Sequence, residues 1–172
     1  GSAPVLLNNK ATALRLRAVT VYNADGSNKD VNIKTAALAK VQQDLADALE
    51  SYSKSFTIIK NAPAADILDP KTNELNKINA LNGAKETLRI MSITRTVDTS
   101  KGDIAKAMVA EYLAVESDQA KKMEAQRYLG DFYLAAGDSA NAIAEYKKVL
   151  EMNPSDADAL VGIGLSLITV GY

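Results

Sequence analysis

Apolar residues recur at every third or fourth position along almost the whole chain, and no stretch alternates with period two for long enough to indicate a sheet. This spacing predicts seven helices, over about residues 4–23, 31–61, 70–96, 103–116, 119–136, 139–152 and 156–170. Turn-forming residues separate the helices, as at Asn23–Asp30, and Pro63 restricts the residue before it. Because the connections are short, consecutive helices are expected to pack as antiparallel hairpins in an all-α fold.

The third predicted helix contains Asn82-Gly83, a pair that favours a turn. The apolar stripe nevertheless keeps its phase across the pair, through Leu75, Ile78, Leu81, Leu88 and Met91. We therefore expect a continuous helix with Gly83 at a close contact with another helix.

A pattern that returns about every 34 residues occupies the second half of the chain. Its clearest copy spans residues 123–154 and contains Leu129-Gly130, Tyr133, Gly137-Asp138, Ala142, Tyr146 and Pro154. The first half of the pattern returns as Leu160, Ile163-Gly164, Leu167 and Gly171. One period earlier, residues 108–112 match residues 142–146. The pattern resembles a tetratricopeptide repeat.

The resemblance implies a right-handed superhelix of antiparallel hairpins in one continuous solenoid. It is specific over residues 123–154 and good over the truncated half-repeat at 157–172. The repeat before residue 123 is degenerate, because its first helix lacks the Leu-Gly pair. Over residues 3–100 it is remote, and long, atypical hairpins are expected there. Because the chain stops before the second helix of the last repeat, we expect it to be part of a longer array.

The spacing assigns packing roles to residues of the repeat. Gly130 and Gly164 are expected where the first helix of a repeat approaches the second closely. Tyr133 and Tyr146 are expected to fill the seams between helices. The remaining packing positions are Leu129, the small Ala142 at the helix crossing, and Pro154, which ends the second helix.

Two positions depart from the family pattern. Gln126 stands where a tryptophan or leucine is usual, and Val149 stands where a small residue is usual. We therefore expect looser or shifted packing against the preceding, atypical helix pair.

The resemblance also implies a groove that is lined by the first helix of each repeat and binds a protein or peptide partner. The predicted lining residues are Glu124, Arg127, Tyr128, Asp131, Leu134 and Ala135, followed on the next helix by Asp158, Val161, Leu165 and Ile168. This half-polar, half-apolar lining fits an amphipathic helix or an extended peptide. Some members of the family bind the terminal carboxylate of a peptide through lysine, asparagine and arginine side chains on this face. Asp131 and Leu165 occupy the asparagine position here, so this mode of binding is not expected. The three aliphatic residues of the last helix fit a buried core equally well.

Composition removes most catalytic chemistry. The chain has no histidine, no cysteine and no tryptophan, so it lacks the residues of a Ser–His–Asp triad, a cysteine nucleophile and a typical zinc site. The carboxylate pairs Asp44/Asp47 and Glu111/Glu116 fall on polar helix faces and are interpreted as solvated. The acidic turn at residues 23–30 lacks the spacing of a calcium loop. We therefore expect no catalytic residue, no cofactor and no metal.

Charge and hydropathy bear on the partners. The formal net charge is −1, and the basic pairs are too sparse for nucleic acid. The longest apolar run is too short to span a membrane. The given N-terminus shows no signal-peptide pattern, and the compartment stays open between cytoplasm and periplasm. The last helix, over residues 157–170, is apolar on nearly all sides, which predicts that copies of the chain associate through it.

These observations predict a non-catalytic scaffold that binds a peptide or helix of another protein. Two alternatives remain open. One is an accessory or regulatory domain of a larger enzyme or transport assembly, and the other is a self-assembling structural protein.

Overall fold

Seven helices make up the described part of the computed structural model, which comprises residues 2–63 and 69–169. They are α1 (Ala3–Asp25), α2 (Val31–Lys60), α3 (Pro70–Thr94), α4 (Gly102–Val115), α5 (Gln119–Ala135), α6 (Ser139–Met152) and α7 (Ala157–Thr169), and a 3-10 turn at Thr99–Lys101 precedes α4. The bounds lie within two residues of the predicted ones, so the all-α prediction is confirmed. The predicted helix end at Val170 and the repeat position Gly171 lie outside the described residues.

Aspartate side chains fix the start of most helices. The carboxylate of Asp30 accepts backbone N–H bonds at the start of α2, as do Asp69, Asp118 and Asp138 at the starts of α3, α5 and α6. Each cap satisfies donors that the first helical turn leaves without partners. The predicted turn at residues 23–30 is shorter than expected, because α1 continues to Asp25.

The helices form two layers that alternate along the chain. Each odd-numbered helix contacts the next odd-numbered helix, so α1, α3, α5 and α7 lie side by side. The even-numbered helices pack against them as hairpin partners, with α1 on α2, α5 on α6 and α6 on α7 making extensive contacts. This arrangement places every predicted first helix of a repeat in the same layer.

Helix α3 runs without a break through Asn82-Gly83. A Cβ atom added to Gly83 would lie 2.2 Å from Cζ of Tyr52, so α2 and α3 approach closely there. The apolar stripe of α3 is only partly covered, however. Leu81 is buried, whereas Leu75 is 58% exposed and Ile78 is 41% exposed.

Tyr146 of α6 lies between glycines of two neighbouring helices. A Cβ atom added to Gly130 in α5 would lie 2.7 Å from its Cε1, and one added to Gly162 in α7 would lie 2.4 Å from its Cζ. At Gly164 an added Cβ meets no heavy atom within 4 Å, so its expected contact with the second helix of its own repeat stays a prediction. Gly162, which lies two residues earlier and therefore on another face of α7, makes the contact with α6.

The other packing positions of the repeat lie in the core or at a helix end. Leu129, Tyr133 and Ala142 are buried. Tyr133 packs edge-on against Phe132, with ring centroids 5.7 Å apart. Pro154 follows the last residue of α6 by two positions, so it lies in the turn before α7.

Gln126 and Val149, the two positions that depart from the family pattern, are both buried. Gln126 donates a hydrogen bond to Glu145, which is itself only 3% exposed and pairs with Lys148 at 2.7 Å. The hydrogen-bonded pair Gln126 and Glu145 therefore fills the position where an apolar residue is usual. Its hydrogen bonds offset the cost of burying the two polar side chains.

Asp44 also differs from its sequence interpretation, because it is buried rather than solvated. Arg17 of α1 donates two hydrogen bonds of 2.7 Å to its carboxylate, and Lys40 donates a third of 2.7 Å. Burial alone would raise the pKa of Asp44, but the hydrogen bonds and charges of Arg17 and Lys40 outweigh burial and hold the pKa below its ordinary value. Asp44 thus links α1 to α2.

Candidate functional site

A pocket of about 630 Å³ opens on the layer of odd-numbered helices, between α3, α5 and α7. Its size is typical of sites that bind small molecules or a few side chains of a peptide. Helix α5 forms the middle of the pocket, α7 forms one wall and the C-terminal half of α3 forms the other.

Most of the predicted groove residues meet in this pocket. Its lining includes Arg127, Tyr128, Asp131, Leu134, Ala135, Asp158, Val161, Leu165 and Ile168. Glu124 does not line the pocket. It lies one turn away from it on α5 and accepts a hydrogen bond of 2.7 Å from Nζ of Lys85, which links α5 to α3.

The wall formed by α3 was missed from the sequence. It contributes Arg89, Ser92, Ile93 and Arg95. These residues precede the recognisable repeat, and no motif marks them. The available signal was positional, because α3 is the first helix of its hairpin and so lies in the same layer as α5 and α7.

The floor of the pocket is fixed by Asp131. Its carboxylate accepts a hydrogen bond of 2.6 Å from the hydroxyl of Tyr146 and one of 2.7 Å from the hydroxyl of Ser92. Burial, followed by the bond to Asp131, raises the pKa of Tyr146 well above its ordinary value, so the phenol remains a neutral donor. Asp131 thereby joins α3, α5 and α6 at one point.

Arg127 connects the floor to the wall formed by α7. Its guanidinium lies 3.1 Å from the carboxylate of Asp158 and 3.5 Å from that of Asp156. It also lies 6.0 Å from the centre of the Tyr128 ring, at the limit of a cation–π contact. Burial raises the pKa of Tyr128, and Glu124 adds to that effect. The polar side of the pocket is therefore held in place by contacts within the chain.

The wall formed by α7 is apolar and exposed. Val161 is 60% exposed, Leu165 is 44% exposed and Ile168 is 69% exposed, and all three line the pocket. Within the described residues these three side chains are therefore exposed rather than part of the core. The face of α7 that packs against the protein carries the small residues Ala159, Gly162 and Ser166.

Arg95 ends α3 in a conformation that side chains rarely adopt. Its φ is 53° and its ψ is 35°, in the left-handed region where glycine is favoured. Arg95 is exposed and lines the pocket, so the end of α3 presents a cationic side chain at the pocket edge.

Within residues 2–63 and 69–169, no cluster of three or more histidine, cysteine, aspartate or glutamate side chains is arranged to hold a metal ion. None of the described helices is long and apolar enough to cross a membrane.

Comparison with known proteins identifies the repeat. The sequence model of the tetratricopeptide repeat matches residues 97–157 and, in an overlapping match, residues 129–169. Comparisons with curated proteins and with solved structures gave no match. The matched residues fold as α4–α7, with α5, α6 and α7 packed in sequence, as expected for stacked helical repeats. Arrays of such repeats generally serve as scaffolds for protein–protein interaction. Residues 97–169 are therefore recognised as tetratricopeptide repeats by both their sequence and their helix packing.

Proposed function

We propose that the pocket between α3, α5 and α7 binds an amphipathic helix or an extended peptide of a partner protein, and that the chain acts as a non-catalytic scaffold. The observation that carries this proposal is the exposed row Val161, Leu165 and Ile168 beside the polar floor of the pocket. A row of aliphatic residues at helical spacing facing charged side chains matches the two faces of an amphipathic segment.

The apolar wall supplies part of the binding free energy. Full burial of one aliphatic side chain contributes about 1.5–3 kcal/mol, and these three are already partly covered, so about 1–2 kcal/mol remains for each. Ordering the peptide consumes much of that gain. The apolar wall alone therefore supports weak binding, and the arginines and Asp131 are expected to determine which peptides bind.

The test uses random peptides displayed on phage and selected against the immobilised protein. Selected peptides are expected to share apolar residues at helical or alternating spacing. Their affinity should fall at least about tenfold for Ile168→Asp, because a charge then faces the apolar segment. Ile58→Asp is the matched control, since Ile58 of α2 is 45% exposed but does not line the pocket.

Two outcomes oppose the proposal. If the selected peptides bind Ile168→Asp as tightly as the parent chain, the binding site lies elsewhere. The same conclusion follows if Ile168→Asp and the control variant lose peptide affinity equally. Alanine at Arg127 is a poorer choice, because it would also remove the ion pair with Asp158 and so alter the wall itself.

We further propose that copies of the chain associate through the outer face of α7. Leu160 is 52% exposed and Leu167 is 41% exposed, and they lie on a face distinct from the pocket wall. The double variant Leu160→Asp/Leu167→Asp should reduce the mass measured by light scattering at high protein concentration. A monomeric parent chain under the same conditions would contradict self-association without affecting the peptide site.

A further inference from the structure

A second, smaller pocket of about 280 Å³ lies between α1 and α3, with Tyr52 of α2 among its lining residues. It is outside the matched repeat region, which begins at residue 97. Its volume is just below the usual range for ligand sites, so it suits a small molecule or a short stretch of a longer one.

The chemistry of this pocket differs from that of the first. Asn8 and Asn9 of α1 face Asn79 and Asn82 of α3, and no aliphatic side chain contributes to the lining. Three of these four asparagines are exposed, so their carboxamides are accessible. A carboxamide offers both a hydrogen-bond donor and an acceptor, which are the two groups that a peptide bond requires.

Two polar atoms in the wall have no hydrogen-bond partner. Asn8 is 7% exposed, and its Nδ2 donates to the backbone oxygen of Asn76 at 3.0 Å, but its Oδ1 is unpartnered. Nε of Arg15 is likewise unpartnered. Buried atoms of this kind are rare in folded proteins and destabilise them, so a ligand that satisfies them would gain affinity. Both atoms have almost no exposed surface, so their side chains must rotate to reach a ligand.

This second pocket and the first pocket, between α3, α5 and α7, follow one another along a single face of α3. Asn79, Asn82 and Glu86 line the second pocket, and Arg89 and Ile93 follow at the same helical spacing in the first. Glu86 and Arg89 join the two pockets through an ion pair of 2.9 Å. At 1.5 Å per residue, Asn82 and Ile93 are about 16 Å apart, the length of about five extended residues.

We infer that the pocket between α1 and α3 binds the main chain of an extended peptide through its asparagine carboxamides. That the same peptide also reaches the pocket between α3, α5 and α7 rests on the proposed function, whereas binding at the pocket between α1 and α3 has its own test. A simple anion is disfavoured, because Glu86 shares the pocket with Arg15 and the other polar groups are neutral. A sugar is disfavoured, because Tyr52 is 2% exposed and offers no free ring face for stacking.

The probe is N-acetylglycine N-methylamide, which carries two peptide groups and no charge. Titration into the ¹⁵N-labelled chain should shift the side-chain NH₂ signals of Asn8, Asn79 and Asn82 saturably, with a dissociation constant on the order of 1–10 mM. Affinity should fall at least about tenfold in Asn79→Ala/Asn82→Ala. Both side chains are exposed, so this variant should fold normally. Asn23→Ala removes an exposed asparagine of α1 outside the pocket and should leave the titration unchanged.

Parallel titrations with sodium acetate and methyl glucoside separate the ligand classes. Saturable shifts with the peptide mimic alone support the inference. Saturation by acetate alone, by the glucoside alone, or by none of the three up to about 100 mM overturns it. The probe is too small to reach the α7 wall, so its binding is independent of the phage selection. If the phage selection yields no peptides but the probe still binds, the proposed peptide site between α3, α5 and α7 is refuted, whereas the site between α1 and α3 is supported.

Discussion

Gly130 and Gly164 occupy the same position in successive repeats, yet alanine should affect the free energy of unfolding in opposite directions. A Cβ atom at Gly130 would lie 2.7, 2.8 and 3.1 Å from three atoms of the Tyr146 ring. That ring cannot move aside, because Gly162 contacts it and Asp131 holds its hydroxyl at 2.6 Å. At Gly164 the added atom meets nothing within 4 Å.

The magnitudes follow from two opposing effects. Alanine in place of a helical glycine stabilises by about 1 kcal/mol, whereas forcing a methyl group into a filled core costs about 1–3 kcal/mol. With three ring atoms in the way, we expect a cost near the upper limit for Gly130→Ala and a net loss of about 2 kcal/mol. Gly164→Ala should gain about 0.5–1 kcal/mol.

Thermal unfolding followed by far-ultraviolet circular dichroism measures both variants. For a domain of this size, 1 kcal/mol corresponds to about 2–4 °C in Tm. Gly130→Ala should therefore unfold about 4–8 °C below the parent chain, and Gly164→Ala about 1–4 °C above it. Equal Tm values for the two variants, or a Gly130→Ala chain as stable as the parent, would refute the packing argument.

The remaining predictions concern the N-terminal helices. Asp44→Asn should destabilise the chain by about 1–3 kcal/mol at neutral pH. Folding lowers the pKa of Asp44. The difference in free energy of unfolding between Asp44→Asn and the parent chain should therefore be full above about pH 4, and it should be lost as the pH falls through the pKa of Asp44 in the folded state. In urea unfolding, Leu75→Gln should change stability by less than about 0.5 kcal/mol, whereas Leu81→Ala should lose about 2–5 kcal/mol. Gly83→Ala should lower Tm, since its Cβ would lie 2.2 Å from the Tyr52 ring, and an unchanged Tm would contradict that contact.

The helix bounds could be predicted because their signals are local. Asp30, Asp69, Asp118 and Asp138 cap helices through their own side chains, and Pro154 prevents continuation of a helix wherever the chain packs. The pocket wall from α5 and α7 could be predicted for a related reason, since the repeat period fixes which side of each helix faces the next. The wall from α3 could not, because its residues carry no motif.

Burial was predicted less well than helix position. Asp44 shares a polar spacing with many solvated residues, but Arg17 from α1, together with Lys40 of α2, compensates its burial. Leu75 belongs to the same apolar stripe as Leu81, yet it is 58% exposed. Periodicity identifies the side of a helix that is suited to burial, but not whether another element lies there.

The sequence by itself determined seven helices, their order and the repeat, because hydrophobic period, caps and helix breakers act within a few residues. Only the tertiary structure decided which of Gly162 and Gly164 meets Tyr146, that Val161, Leu165 and Ile168 stay exposed, and that a second, asparagine-lined pocket forms between α1 and α3. These features depend on the distance and rotation between helices far apart in sequence. Small changes in either property move a side chain from one neighbour to another without altering the local pattern.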